Sequence, residues 1–353
     1  MHVAVIGASG VVGRALLEHL DSIGIDCTGY SRRAPDLPGV AHVPLDLTDA
    51  AACRAAAVDM TRVTHVVYTA LYEQPGLVAG WLAEEQMQTN LRMLQNLLEP
   101  LRHQPSVRHV TLLQGTKAYA AHIRPMKVPG RECEPRIEHP NFYWLQEDYA
   151  RATAGDAGWD VTLWRPQIIF GHAIGAPMNL LAAIGAYAAL SSHVGEPFRW
   201  PGGPSGVMEA TCADLLARAI TFSFDNPAFA NETFNVTNGD VFTFENVWAS
   251  IAEALDVDVG APARMRLSDL YERETDWQSI VEQHGLAPVS LRAFVGDSFH
   301  YADALFNTGR DMPPPPALVS TIKLRQAGFG DCLDTEDMLR TWFRKLRKMK
   351  RLP

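Results

Sequence analysis

Two rhythms alternate along the first half of the chain. Short runs of apolar and β-branched residues are separated by stretches where apolar positions recur every three or four residues. "HVAVI" (residues 2–6) is the first run, and "RALLEHLDSIG" is the first helical stretch. "IDCTGYSRR" and "VAHVPLDLTD" read as the second and third strands, and "AACRAAAVD" as a helix. "VTHVVYTAL" is a fourth strand, residues 80–103 a long helix, and "VRHVTLLQGT" a fifth strand. Strands that alternate with helices predict an α/β fold built on a doubly wound parallel sheet. No period of solenoid length appears.

From about residue 172 the alternation weakens. "MNLLAAIGAYAAL" (178–190) is apolar on every side but too short to span a bilayer, so it reads as a buried helix. "SSHVGEPFRWPGG" carries turn residues, "TFNVTNGDVFTF" returns to strand, and "ENVWASIAEAL" is helical. The run "MPPPP" excludes helix and central strand. The expected organisation is a domain over 1–171, completed by a returning strand near 231–243, and a smaller lobe made mainly from 172–353. The basic end "WFRKLRKMKRLP" reads as a solvated helix end with cations at the negative pole of the dipole.

Composition narrows the classes. The chain has 353 residues, 47% of them hydrophobic, and a formal net charge of −9, so it has no global basic field to hold nucleic acid. Its five cysteines are scattered without a CxxC pair, which argues against a disulfide framework or a metal site and for a reducing, cytoplasmic setting. The N-terminus lacks the basic and long apolar regions of a signal peptide. A small-molecule partner fits these limits; a nucleic acid or a membrane does not. A homodimer is compatible with them.

The first strand runs into "GASGVVG", which places Gly7, Gly10 and Gly13 in G-x-x-G-x-x-G spacing, with Ser9, Val11 and Val12 between them. A glycine turn that opens a helix lets the backbone approach a pyrophosphate and points the helix N-terminus at it. This is the Rossmann-type signature. Strand two ends in Ser31, Arg32 and Arg33, where NAD-binding chains usually carry an acid for the ribose. Two guanidiniums suit a 2′-phosphate, so NADP(H) is the expected cofactor. Asp46 and Leu47 follow strand three, where adenine lies, although Asp46 or Thr48 serves equally well as a helix N-cap there. Thr69 and Ala70 end strand four, beside the pyrophosphate and ribose.

The acid–base pair of ordinary short-chain dehydrogenases, Tyr-x-x-x-Lys on one helix, is absent. Four residues after Tyr143 stands Glu147, and four after Tyr149 stands Thr153. A lysine does stand at the carboxyl end of strand five: Lys117, in "LLQGTKAY". That end of the sheet is where open α/β folds bind ligands. "NFYWLQEDYA" begins a helix shortly afterwards and can bring Tyr143 to the same crevice.

"LLQGTKAY", "NFYWLQEDY", "LWRPQIIFG", "NETFNVTNGDVFTFENVW" and "IVEQHGL" resemble, in order, the motifs of the progesterone 5β-reductase/iridoid synthase-like family. These are atypical extended short-chain dehydrogenases/reductases, and the resemblance covers roughly residues 1–345. It implies NADPH-dependent reduction of the C=C bond of an enone or enal by 1,4-hydride addition. Tyr143 would hydrogen-bond the developing oxyanion, and Lys117 would be the second active-site residue. Gln114 and Gly115 would border the cofactor, and Pro166, Ile168 and Ile169 would line the nicotinamide. The chain departs from the family at Trp144 (commonly a second tyrosine), at Gln167 (often glycine) and at Ala118 (often histidine). Trp144, Met178, Tyr187, Phe198 and Trp200 are candidate substrate-pocket residues. Two other readings stand beside this one: an extended dehydrogenase acting on a carbonyl or sugar nucleotide (a ketoreductase or epimerase), and a non-catalytic NADP-sensing regulator. The missing Tyr-x-x-x-Lys argues against the first, and an intact Lys117/Tyr143 pair against the second.

Overall fold

The computed structural model describes residues 1–75 and 77–353, the side chains of Val78 and Ala79 excepted. The first half holds β1 (His2–Ile6), α1 (Val11–Ser22), β2 (Asp26–Ser31), β3 (Ala41–Pro44), α2 (Ala50–Asp59) and β4 (His65–Tyr68). It continues with α3 (Glu84–Leu101), β5 (His109–Leu113), α4 (Phe142–Ala157), β6 (Asp160–Pro166) and β7 (Ile168–Phe170). Next come α5 (Leu180–His193), β8 (Ala210–Cys212), α6 (Ala213–Ser223), β9 (Thr233–Val236) and α7 (Phe244–Leu255). The chain ends with α8 (Glu274–His284), α9 (Leu291–Val295), α10 (Ser298–Leu305), α11 (Ile322–Gln326) and α12 (Thr335–Lys348).

Seven strands form a parallel sheet in the order β3-β2-β1-β4-β5-β6-β9. The expected doubly wound sheet is therefore present. Its apolar runs are continuous because both faces are covered. Val3 and Val5 of β1 join the core on one face, and Ala4 and Ile6 join the core on the other. The register sets Ile6 opposite both Tyr30 and Tyr68, Tyr68 opposite Leu112, and Leu113 opposite Trp164. The carboxyl ends thus finish on one line. The order reverses between β1 and β4, which opens a crevice there.

One sequence expectation changes. Residues 80–103 are not one helix: a 3-10 turn spans Leu77–Leu82, and α3 starts only at Glu84. The stretch "RPQIIFG" is divided between two sheets. β6 ends at Pro166, and β7 pairs with β8 in a separate two-stranded sheet. Proline lacks the N–H that would continue the ladder.

The all-apolar stretch is buried helix α5, in contact with α8, α9 and α10. Gly185 of α5 faces Leu352, so the end of the chain docks on it. The basic terminal helix α12 buries Leu339, Trp342, Phe343 and Leu346 against α7, with Lys345, Arg347 and Lys348 in its last turn. Residue 171 marks no break in the hydrophobic core. A single cluster runs from Val3 of β1 through α5 to Trp342 of α12, and α6 packs on α1.

Candidate active site

Gly7 has φ +90°, and a Cβ there would sit 2.7 Å from the Ala70 backbone nitrogen. Only glycine lets this loop and the end of β4 lie so close. Gly13 is packed against the Gly7 carbonyl, which brings α1 down on the loop and keeps Gly13 out of the crevice. Gly10 is the N-cap of α1, and no side chain caps that end. The first N–H groups of α1 are therefore left for an anion. The cradle that a dinucleotide pyrophosphate needs is present in these residues.

A cavity of about 630 Å³ opens from this cradle. Gly7, Ser9, Gly10, Val11, Val12, Ser31, Arg32, Arg33, Asp46, Leu47, Thr69 and Ala70 line it along one half. The Ser31 hydroxyl donates to the Arg33 carbonyl at 2.6 Å, which shapes the turn that presents both guanidiniums. Arg33 donates to the Ile174 carbonyl at 3.2 Å; Arg32 is exposed and makes no such bond among the described residues. Asp46 accepts from the backbone N–H and hydroxyl of Thr48, and both bonds hold its carboxyl below the usual range. The N-cap of α2 is Asp49, so Asp46 closes the turn before it and still faces the cavity. Thr69 fixes its strand end by donating to the Ile6 carbonyl at 2.8 Å.

Gln114, Gly115, Lys117, Tyr143, Pro166, Ile168, Ile169 and Met178 line the other half. Lys117 sits on a short 3-10 turn after β5, and Tyr143 in the first turn of α4. Asn141 joins the two. Its side chain caps α4 by accepting from the Tyr143 N–H and donates to the Lys117 carbonyl, each at 3.1 Å. Gly115 keeps the backbone narrow here: a Cβ would lie 3.4 Å from the Tyr143 hydroxyl. Gln114 donates to Glu147 and accepts from Arg165, each at 2.8 Å, which assigns Arg165 to a buried structural network.

The Lys117 ammonium lies 3.9 Å from the centre of the Trp81 ring. Burial pulls it down to about 8, against the attraction of Glu73. Burial pushes the Tyr143 hydroxyl well above its ordinary value, and Glu73 and Tyr301 push it the same way. These surroundings favour the protonated phenol. In an ordinary short-chain dehydrogenase a neighbouring lysine does the opposite to the tyrosine.

The profile of the NAD dependent epimerase/dehydratase family matches residues 3–237. The chain belongs to that family. It is thus an NAD(P)-dependent scaffold of the extended short-chain dehydrogenase/reductase type. Within the epimerase/dehydratase family it is 26% identical to the (S)-8-oxocitronellyl enol synthase of Antirrhinum majus, over 99% of this chain and 92% of that enzyme. It is 29% identical to (S)-8-oxocitronellyl enol synthase ISY1 of Nepeta racemosa, over 81% of this chain and 78% of that one. These relatives agree with the resemblance to the progesterone 5β-reductase/iridoid synthase-like group. The UDP-glucose 4-epimerase of Thermus thermophilus, solved with NAD, shares the fold at TM-score 0.66 and 18% identity, over 98% of this chain and 99% of that one.

Four expected pocket residues of this epimerase/dehydratase-family chain lie elsewhere. Trp144, one step along α4 from Tyr143, points away and packs beside Arg136 (4.7 Å) and Arg165 (5.7 Å). Tyr187, Phe198 and Trp200 are buried in an aromatic cluster with Trp248, where Phe198 stacks on Trp248 at 4.3 Å. Their polar atoms are used internally: the Tyr187 hydroxyl donates to the Arg199 carbonyl, and the Trp200 indole donates to the Gly203 carbonyl, each at 3.0 Å. In their place stand Glu73, Trp81, Gln167, Glu209 and Tyr301. Glu73 follows β4 on the crevice side, which the switch-point rule could have flagged. Glu209 takes the Val319 N–H at 2.7 Å, and burial pushes it up to about 7. No pattern in the sequence points to Tyr301, which sits on α10 far along the chain.

Proposed function

We propose that the protein reduces the C=C bond of an α,β-unsaturated carbonyl compound, an enone or enal, with NADPH. The observation that carries this reading is Tyr143: a hydroxyl held protonated, without an internal partner among the described residues, facing a cavity continuous with the nucleotide cradle. NADPH, when bound, supplies the hydride that adds to the β-carbon. The electron pair of the C=C bond then shifts toward the carbonyl oxygen. Tyr143 donates to that oxygen as its charge grows, a contact worth about 3 kcal/mol for one well-placed donor. Lys117 adds positive charge in a buried site, where it is weakly screened. The enolate then takes a proton from solvent at its α-carbon and becomes the saturated carbonyl. The relatives named as enol synthases support this class of chemistry.

Turnover is tested with NADPH and 2-cyclohexen-1-one, by loss of nicotinamide absorbance and product analysis. Cyclohexanone is the expected product. Allylic alcohol, or no turnover across a panel of enones, overturns the reading.

NADPH is preferred to NADH because Arg32 and Arg33 directly follow β2, where NAD-binding chains usually carry an acid. Arg32 is the better phosphate ligand, since Arg33 already holds the Ile174 carbonyl. Arg32→Ala is expected to weaken NADPH by about ten- to a hundredfold, the size of one charge-assisted hydrogen bond. NADH affinity should stay nearly constant. Titration of both cofactors by fluorescence checks this, and equal losses would remove the argument for a phosphate contact.

A further inference from the structure

Tyr301 lines the same cavity as Tyr143. It comes from α10 of the C-terminal part, whereas Tyr143 comes from α4 of the sheet domain. α10 packs beside the 3-10 turn Leu77–Leu82 that carries Trp81, so its position is tied to the wall next to Lys117. Neither tyrosine hydroxyl has a hydrogen-bond partner among the described residues. Several other tyrosines spend theirs inside the protein: Tyr119 donates to Asn235 at 2.7 Å, Tyr187 to the Arg199 carbonyl, and Tyr271 to the Gly296 carbonyl at 2.8 Å. Hydroxyls left free at the wall of a cavity can donate to a ligand there.

The two hydroxyls face one charge environment. Burial pushes Tyr301 far up, as it does Tyr143, and Glu73 pushes both further. Tyr301 itself adds to the upward push on Tyr143. Both are held as neutral donors. A carbonyl oxygen has two lone pairs and can accept from two donors at once. Phenylalanine would fill the same space without an unpaired hydroxyl, so shape alone does not call for tyrosine.

We propose that Tyr301 is a second catalytic hydroxyl, donating beside Tyr143 to the carbonyl oxygen of the bound substrate. The inference rests on the enone reading. The substrate is gripped across the junction of the two parts of the chain, with one donor from each. No proton leaves Tyr301. It donates a hydrogen bond while the C=C electron pair moves to the oxygen, and it is unchanged when the α-carbon is protonated.

The test is Tyr301→Phe, alone and with Tyr143→Phe, using 2-cyclohexen-1-one and NADPH. The single variant is expected to lose at least tenfold in kcat, with NADPH affinity and melting temperature unchanged. The double variant should lose more than Tyr143→Phe alone. A second readout does not depend on turnover: binding of 4-nitrophenolate, an oxyanion probe, to the complex with NADP+. Tyr301→Phe should weaken it about tenfold. If the wild type reduces no enone, the enone reading fails, while the phenolate arm still decides whether Tyr301 is a donor. Unchanged phenolate binding overturns the proposal. So does a double variant no slower than Tyr143→Phe, or a joint loss of NADPH affinity and melting temperature.

Discussion

Tyr143→Phe is expected to lower kcat for enone reduction by about 10²- to 10³-fold, the cost of removing one oxyanion donor from a preorganised site. The substitution is conservative in every other respect. The ring keeps its edge contact with Phe142, at 4.6 Å between centroids. The hydroxyl bonds to nothing among the described residues, so its loss leaves no buried group unpaired. Melting temperature and NADPH affinity should therefore hold, which separates a chemical defect from a folding defect. Steady-state kinetics beside a cofactor titration makes the measurement, and unaltered turnover would sink the assignment of Tyr143.

The direction of the Tyr143 shift also says what kind of reaction the site suits. A tyrosine that shuttles a proton needs its pKa brought down toward neutrality. Here burial and a nearby carboxylate move it up. The cation and the phenol are kept on separate elements, and the charged groups that bear on the phenol include Glu73 but not Lys117. That arrangement favours hydrogen-bond donation to an enolate over proton transfer to an alkoxide.

The sheet and the nucleotide half of the site were legible because they depend on local chemistry. A glycine loop after "HVAVI", an acid-free end of β2 and residues at strand ends are set by neighbours in sequence, and the structure puts all of these but Gly13 against one cavity. Lys117 and Tyr143 were legible for the same reason, each beginning or ending a predicted element. The substrate wall was not. Tyr187, Phe198 and Trp200 sit in an apolar context that reads the same for a pocket and for a core, and tertiary packing decided for the core. Trp144 failed for a geometric reason: adjacent helix residues point about 100° apart. Glu209 and Tyr301 reach the cavity only through long-range packing, which no local period encodes.

Lys117→Met should show opposite effects on activity and stability. Turnover is expected to fall by about 10²-fold, since the buried cation of the site is lost. Stability at pH 7 should rise. The sign follows from linkage. The ammonium is pulled from its ordinary 10.5 to about 8 in the folded protein, so it is still charged at pH 7 at the expense of folding. Between those two values the unfolded chain binds more protons than the folded one, and folding stability grows with pH across that window. The penalty is therefore complete below about pH 8 and fades toward 10.5. Methionine carries no such penalty, so its gain in melting temperature should be largest near pH 7 and shrink by pH 10. Glu73 loses its cation in this variant, but burial already pushes that carboxyl up, so it can neutralise by protonation. Adding Glu73→Gln removes even that complication and should preserve the gain. The wild type should also lose activity as pH rises through about 8, while Lys117→Met should lack that limb. Melting curves from pH 6 to 10 and matched rate profiles make the comparison. A variant less stable at pH 7 that keeps the alkaline limb would show that the Lys117 charge is neither buried nor used.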